Sequence, residues 1–334
     1  MKKPLLWSSL IAAVLLLLLA AGSSPADKTD AVPSRQFEFT YVATIPSPAP
    51  GAKTVRLWIP VPQSNPYQDV SNLRVVSPVP YSTEKNAEYG NEMLYIDIPA
   101  EKATSGGEVR MTVDVARREH RVVLGSTPTT EPPVAQDSAE LQRFLQPDTL
   151  IPINGVIAQL SAQTTKGITD PLAKARAIYD YVVATMRYDK SGTGWGNGDA
   201  LWACDSKRGN CTDFHSLFIG MARAAGIPAR FEIGFPLPDN AHDGAIPGYH
   251  CWAEFYVQPY GWIPIDASEA WKHPDHKDYF FGAHDTNRVQ FTIGRDLTMK
   301  PAQQGAPLNY LIYPYAEVDG KPVTVAHSFS FRDN

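Results

Sequence analysis

The chain has 334 residues, 43% of them apolar, with 30 Lys and Arg against 35 Asp and Glu for a formal net charge of -5. That length and apolar content suffice for two packed units, while the lack of a long basic run excludes nucleic acid and anionic membrane surfaces as expected partners. Three cysteines are an odd set, so at most one intramolecular disulfide can form and one thiol stays unpaired or bonds elsewhere.

Residues 1–26 read as an address. Lys2 and Lys3 precede an apolar run from Leu5 to Ala21, and the small residues Ala20, Ala21, Gly22, Ser23 and Ala26 follow, which is the layout of a cleavable signal peptide. A retained membrane anchor is the rival reading, but the run is short for a bilayer span and passes directly into small residues. The expected location is therefore periplasmic or secreted, with no membrane span after cleavage.

Residues 36–124 predict a small all-β, sandwich-like domain. Short alternating segments such as "FEFTYVATI", "TVRLWIPVP", "EMLYIDIPA" and "VRMTVDVARREHRVVL" are separated by Pro, Gly, Asn and Ser clusters, as strands joined by turns should be. Residues 125–150, rich in Pro, Thr and Ser, predict a linker. A core over 151–285 follows, and 286–334 predicts a C-terminal β segment that packs on it. In that core, "DPLAKARAIYDYVVATMRY" places Asp170 as a cap and Pro171 at the first helical position. A glycine-rich loop, "DKSGTGWGNGD", precedes a short helix at "ALWACDSK".

"RGNCTDFHSLFIGMARAAGIPAR" spaces Phe214, Leu217, Phe218, Met221, Ala222 and Ala225 as the single buried face of a helix. Asn210 caps it, Asp213 puts an acid in the first turn, and Gly226 ends it. Three strand-like runs follow, "ARFEIGF", "HCWAEFYV" and "WIPIDAS". The fold class expected is α+β, a helix packed on an antiparallel sheet preceded by the β domain.

Cys211 falls at the start of that helix, where unpaired backbone N–H groups and the helix dipole favour a thiolate. A thiol nucleophile needs a base, and the base needs a third group to orient it. His250 opens one strand and Asp266 closes the next. The two share a sheet face only if the hairpin between them has an odd-length turn or a bulge near Tyr260 and Gly261, for example with Trp252 opposite Asp266.

These blocks, "GNCTDFHSLFIGMARAAGIPAR", "HCWAEFYV" and "GWIPIDAS", resemble the three ordered blocks of the transglutaminase-like superfamily over about residues 150–270. The resemblance implies a papain-related fold with Cys211 as nucleophile, His250 as base and Asp266 as orienting acid. It implies a hydrolase or acyltransferase acting on a peptide or protein amide bond, side-chain or backbone, through an acyl-enzyme. Hydrolysis stands ahead of cross-linking, because water is the default acceptor unless the site excludes it. A catalytically silent scaffold is the alternative, and no cofactor is called for.

The oxyanion would rest on the Cys211 backbone N–H and one further donor, for which Trp195, Trp202 and Tyr188 are the candidates. Cys204 and Cys251 could pair and leave Cys211 free; a bridge between Cys204 and Cys211 is the competing arrangement. A zinc site built from Cys204, Cys211, His215, His250 and Cys251 fits no common ligand spacing, so no metal is expected. His215 is expected as a hydrogen-bonded wall residue. The loop at residues 235–249 is expected to border the cleft, and Trp252, Trp262 and Trp271 could line it.

Overall fold

Alternating burial is clearest in the first part of the first strand and in the sixth. In β1 (Ser34–Thr44) Phe37, Phe39 and Tyr41 are fully buried, and the residues between them are exposed or half-buried. The computed structural model describes Met1 and residues 32–103, 107–125 and 138–334. The expected signal peptide, apart from Met1, and much of the expected linker lie outside the described residues.

The strands continue as β2 (Thr54–Val61), β3 (Gln68–Val76), β4 (Ser82–Lys85), β5 (Glu92–Pro99), β6 (Glu108–Arg118) and β7 (His120–Arg121). The helical region comprises α1 (Ala139–Arg143), α2 (Gly155–Thr164), α3 (Pro171–Thr185), β8 (Arg187–Tyr188), α4 (Ala200–Ser206), β9 (Arg208–Gly209) and α5 (Cys211–Ala224). After it come β10 (Ala229–Pro236), β11 (Asp243–Ala245), β12 (His250–Val257), β13 (Gly261–Ile265), α6 (Ala267–Lys272) and β14 (Ala283–His284). The chain closes with β15 (Arg288–Ile293), β16 (Tyr315–Val318), β17 (Lys321–Val323) and β18 (His327–Asp333).

Two five-stranded sheets, ordered β11-β18-β1-β6-β3 and β17-β16-β2-β5-β4, form the all-β region. Their inward residues, among them Phe39 and Val113 from one and Leu57 and Ile96 from the other, join one buried apolar cluster. Only β15 of the C-terminal segment enters the core sheet. β16, β17 and β18 return to the N-terminal sheets, which corrects the expectation that the whole segment packs on the core. The reason is pairing: β1 and β2 each carry buried side chains on an edge that a strand from elsewhere must cover.

The core sheet is antiparallel, ordered β13-β12-β10-β15, and α5 packs across β12 and β10. Asp170 caps α3 by accepting the Ala173 N–H at 2.7 Å, with Pro171 at the first helical position. The expected single buried face of α5 is corrected: Cys211 to Arg223 is buried all round. The apolar stripe meets the sheet, while α2, α3 and α4 cover the other sides. Gly220 is part of the reason, since a Cβ there would press on Ile151, Ile157 and the Pro152 carbonyl at 3.3 Å.

Candidate active site

Cys211 occupies the first turn of α5 because Asn210 and Asp213 hold that turn. The Asn210 side chain accepts the Thr212 N–H at 2.9 Å, and the Asp213 carboxylate accepts the Asn210 N–H at 2.9 Å. Asp213 also accepts N–H groups from Gly196 at 2.7 Å and Gly198 at 3.0 Å, so one buried acid ties the glycine-rich loop to the start of the helix. Burial pushes its pKa up, and these three backbone donors pull the other way. The Tyr249 hydroxyl lies 3.0 Å from Asn210 Nδ2 and 2.9 Å from Thr212 Oγ1, which locks the same turn from the β12 side.

His250 and Asp266 meet through the hairpin register. Ala253 faces Ile265 and Val257 faces Gly261, leaving the odd-length turn 258–260. By extension Trp252 stands opposite Asp266, the arrangement that puts His250 and Asp266 on one face. His250 Nε2 is 2.7 Å from Asp266 Oδ2. The other ring nitrogen is left free of Asp266, and the Cys211 charge acts on the imidazole. The three side chains are buried, with 2%, 6% and 0% exposure for Cys211, His250 and Asp266.

The electrostatics of this trio favour charge separation. Burial raises the Cys211 pKa, but its polar neighbours Cys251 and His250 and the charge of His250 bring it well below the ordinary thiol value. Burial lowers that of His250, yet the Asp266 and Cys211 charges lift it to about 10. Burial raises that of Asp266, and the charge and hydrogen bond of His250 with the charge of Arg288 carry it well below the carboxylate range. These shifts all favour a thiolate, an imidazolium and a carboxylate in series.

Further donors support Asp266. Arg288 Nη1 donates to Oδ2 at 3.2 Å, while Ser268 Oγ and the Glu269 N–H donate to Oδ1, each at 3.0 Å. Asp266 thereby caps α6 as well as orienting His250. His215 is a wall residue of fixed tautomer. Its Nε2 accepts the Ala267 N–H at 3.1 Å, so Nδ1 carries the proton and donates to the Cys211 carbonyl at 2.7 Å.

Among the oxyanion candidates, Tyr188 is the one on which the Cys211 charge acts. The parallel pairing of β8 with β9 sets Tyr188 beside Gly209, and burial followed by the Cys211 charge raises the phenol pKa, so its O–H is kept. Trp195 is not brought to the sulfur; its indole N–H donates to the Gly192 carbonyl at 3.1 Å within its own loop. Trp202 packs beneath Gly194, where a Cβ would sit 2.5 Å from its Nε1, and under the Arg208 guanidinium.

All three cysteines are free, which corrects the expected pairing of Cys204 with Cys251 and its rival with Cys211. Cys204 on α4 has its sulfur 3.9 Å from Lys207 Nζ. Cys251 points from β12 into α5, with its sulfur 3.7 Å from Thr212 Oγ1 and 3.8 Å from His215 Nδ1.

A cleft of about 450 Å³ opens beside His250, bordered by Leu237, Asp239, Glu269, His273 and Phe280. The loop 235–249 thus contributes Pro236, Leu237 and Asp239 to the cleft, while its Asp243–Ala245 stretch is an edge strand on β18. The tryptophans do not line it: Trp252 is fully buried and donates to Glu232 Oε2 at 2.7 Å, Trp262 lies under the Arg230 guanidinium, and Trp271 stacks near Tyr188. Among the described residues, two sets of metal-type donors cluster within 4.8 Å, His250–Asp266–Glu269 and His120–Glu254–His284. The first is engaged in the trio; in the second, Glu254 is taken by Arg230 at 2.6 Å and His120 at 3.1 Å.

Sequence reasoning did not find Arg288, Ser268 or Tyr249. The one signal was Arg288 itself, a charge opening an otherwise apolar strand pattern.

The sequence profile described as the transglutaminase-like superfamily matches residues 158–267. A Haemophilus influenzae protein without assigned function is 30% identical over 321 residues, covering 86% of this chain and 87% of the relative. A Mycobacterium leprae protein, also without assigned function, is 29% identical over 143 residues, 39% of this chain and 48% of its own. The structure of a Cytophaga hutchinsonii protein provisionally assigned as a cysteine protease superposes with a TM-score of 0.60 at 16% identity, covering 89% and 90% of the two chains.

Proposed function

This chain belongs to the transglutaminase-like superfamily, and from that premise we propose that it is an exported thiol enzyme that attacks amide bonds of peptides or proteins through Cys211, His250 and Asp266, with hydrolysis ahead of acyl transfer. One observation carries the reading: the buried His250 holds its Nε2 2.7 Å from Asp266, and the Cys211 charge is among the causes that raise the pKa of its imidazole. An imidazole clamped between a carboxylate and a thiol is the arrangement nucleophilic acyl chemistry requires.

In the proposed reaction the Cys211 thiolate adds to the amide carbonyl carbon, forming the C–S bond and an oxyanion. The Cys211 backbone N–H at the start of α5 and the Tyr188 hydroxyl are the donors proposed for that oxygen. His250 gives its proton to the amide nitrogen as the C–N bond breaks, leaving a thioester and neutral imidazole. His250 then takes a proton from water, which attacks the thioester and releases the carboxylic acid. Glu269, His273 and Asn287 on the wall of the cleft are polar groups suited to holding that water, which supports hydrolysis as the first choice.

Export rests on the signal-like layout of residues 1–26. No helix among the described residues is long and apolar enough to cross a membrane. Cell fractionation with N-terminal sequencing tests it, and an uncleaved cytoplasmic chain would refute it. For the chemistry, the chain is incubated with a glutamine peptide and a labelled primary amine. Release of ammonia or peptide without amine incorporation is expected; incorporation makes it a transferase. No turnover together with iodoacetamide labelling of Cys211 no faster than a free cysteine would favour the silent scaffold.

A further inference from the structure

Amide chemistry needs one sulfur, yet the site holds two. Cys251 follows His250 in β12 and its side chain turns to the opposite face, into the first turn of α5. There its sulfur lies 3.7 Å from Thr212 Oγ1 and 3.8 Å from His215 Nδ1, and that same nitrogen donates to the Cys211 carbonyl at 2.7 Å. Thr212 follows Cys211 in the chain, so the Cys251 sulfur reaches both the side chain next to Cys211 and the imidazole that holds the Cys211 carbonyl, and the Cys211 charge acts on it. Cys251 is fully buried, and Cys204 is held elsewhere beside Lys207. We propose that Cys251 is a resolving thiol, a modification site at which an oxidised Cys211 is captured as an intramolecular disulfide that closes the active site reversibly.

The two sulfurs are suited to different roles. Cys211 is the thiolate, whereas burial and the neighbouring Cys211 charge keep Cys251 protonated. A peroxide that reaches the two sulfurs therefore meets one nucleophile. The Cys211 thiolate attacks a peroxide oxygen; the S–O bond forms, the O–O bond breaks, and the departing hydroxide takes the His250 proton to become water. The Cys251 sulfur then displaces the oxygen from the Cys211 sulfenic acid, which leaves with the Cys251 proton as a second water. Two thiol sulfurs have lost two electrons and hydrogen peroxide has gained them. Bringing the two sulfurs to an S–S bond of about 2 Å asks for side-chain rotation.

Without a resolving partner, further peroxide would carry Cys211 to sulfinic and sulfonic acids, which thiol reductants do not reverse. The inference rests on Cys211 being the reactive thiol of the proposed function, and not on which amide it attacks. The test treats the full chain with a small excess of hydrogen peroxide, blocks remaining thiols with iodoacetamide, and maps peptides by mass. In the native sequence the peptides carrying Cys211 and Cys251 are expected to be joined, with the loss of two hydrogens, and dithiothreitol should restore nearly all Cys211 labelling. In Cys251→Ala, Cys211 is expected to gain two or three oxygens and stay blocked after dithiothreitol. Cys251→Ser, which keeps a hydrogen-bond donor toward Thr212, should match it, and Cys204→Ser should behave as the native chain. A native Cys211 that labels rapidly before treatment but ends over-oxidised, or bridged to Cys204, overturns the resolving role and leaves the proposed function standing. A Cys211 that neither labels nor oxidises overturns both.

Discussion

Replacing Asp266 by Asn removes one charge while keeping the shape of the site. The Asn side-chain oxygen can still accept from Ser268 Oγ and the Glu269 N–H, so the cap of α6 survives. Arg288 keeps Asp285, whose Oδ2 lies 2.9 Å from Nη2. What changes is the imidazolium. His250 sits at about 10 against an ordinary 6.5, and at 1.36 kcal/mol per unit that gap is about 5 kcal/mol of charge-partner stabilisation net of burial. Asp266 is the larger of the two partners, so its loss should lower the His250 pKa by at least about two units.

The Cys211 thiolate loses its counter-ion with that proton, and the pair collapses to neutral thiol and neutral imidazole. In the native chain, Cys211 should alkylate at a nearly constant rate from weakly acidic pH to about pH 10, since the thiolate is already formed across that window. In Asp266→Asn the rate should track an ordinary or raised thiol pKa of about 8.5, so that near pH 6.5 it falls roughly a hundredfold. Turnover should drop by about 10³–10⁴-fold through the misdirected tautomer. Native turnover should also decline as pH rises through about 10, where His250 loses the proton it donates to the leaving amine. The assay is iodoacetamide labelling against pH, with circular dichroism as the control for folding. Superimposable profiles for the two proteins would refute the ion-pair reasoning.

Glu232 is buried and raised to about 7, first by burial and then by the Glu254 charge, so the folded chain holds a proton that the unfolded chain releases above 4.5. Stability should therefore fall between those two values, by up to about 3 kcal/mol; Glu232→Gln should flatten that part of the urea-midpoint profile, and an unchanged slope would count against it. Asp213→Ala strands the N–H groups of Gly196, Gly198 and Asn210. It should cost about 3 kcal/mol and open residues 190–199 to limited proteolysis; persistent resistance would show the loop is held otherwise. Tyr188→Phe should lower kcat by about a hundredfold with little change in KM, and a loss confined to KM would move Tyr188 from the oxyanion to substrate binding.

The parts of this site visible in the sequence are those set by local periodicity. Cap residues fixed the start of α5 at Asn210, and the two-residue period of β12 and β13 turned the demand that His250 and Asp266 share a face into a demand for an odd turn, which residues 258–260 meet. What lay hidden depends on contacts between distant segments. Arg288 reaches Asp266 only because β15 joins the sheet beyond β10, and the envelope around α5 comes from helices on three sides. The cysteines illustrate the limit most sharply. Their odd number says that one thiol is left over, but a bridge also requires Cβ vectors that converge, and number carries no direction.

Burial of Asp266 explains why chemistry and fold meet at one residue. A fully buried carboxylate is tolerable only where hydrogen bonds and opposite charge replace water, and here the donors come from β12, β15 and α6. The end of β13, the start of α6, the first residue of β12 and the first of β15 are all held by that one side chain. Any shift in the relative position of these elements lengthens a bond to Asp266 before it reaches the sulfur. The imidazole of His250 is oriented by the same contacts that close the sheet onto α6, so loss of Asp266 as a charge and loss of Asp266 as a cap are separable experiments: Asn removes the first, and Ala removes both. The difference in thermal stability between those two variants, set against their common loss of alkylation in acid, measures how much of this residue serves the fold and how much the reaction.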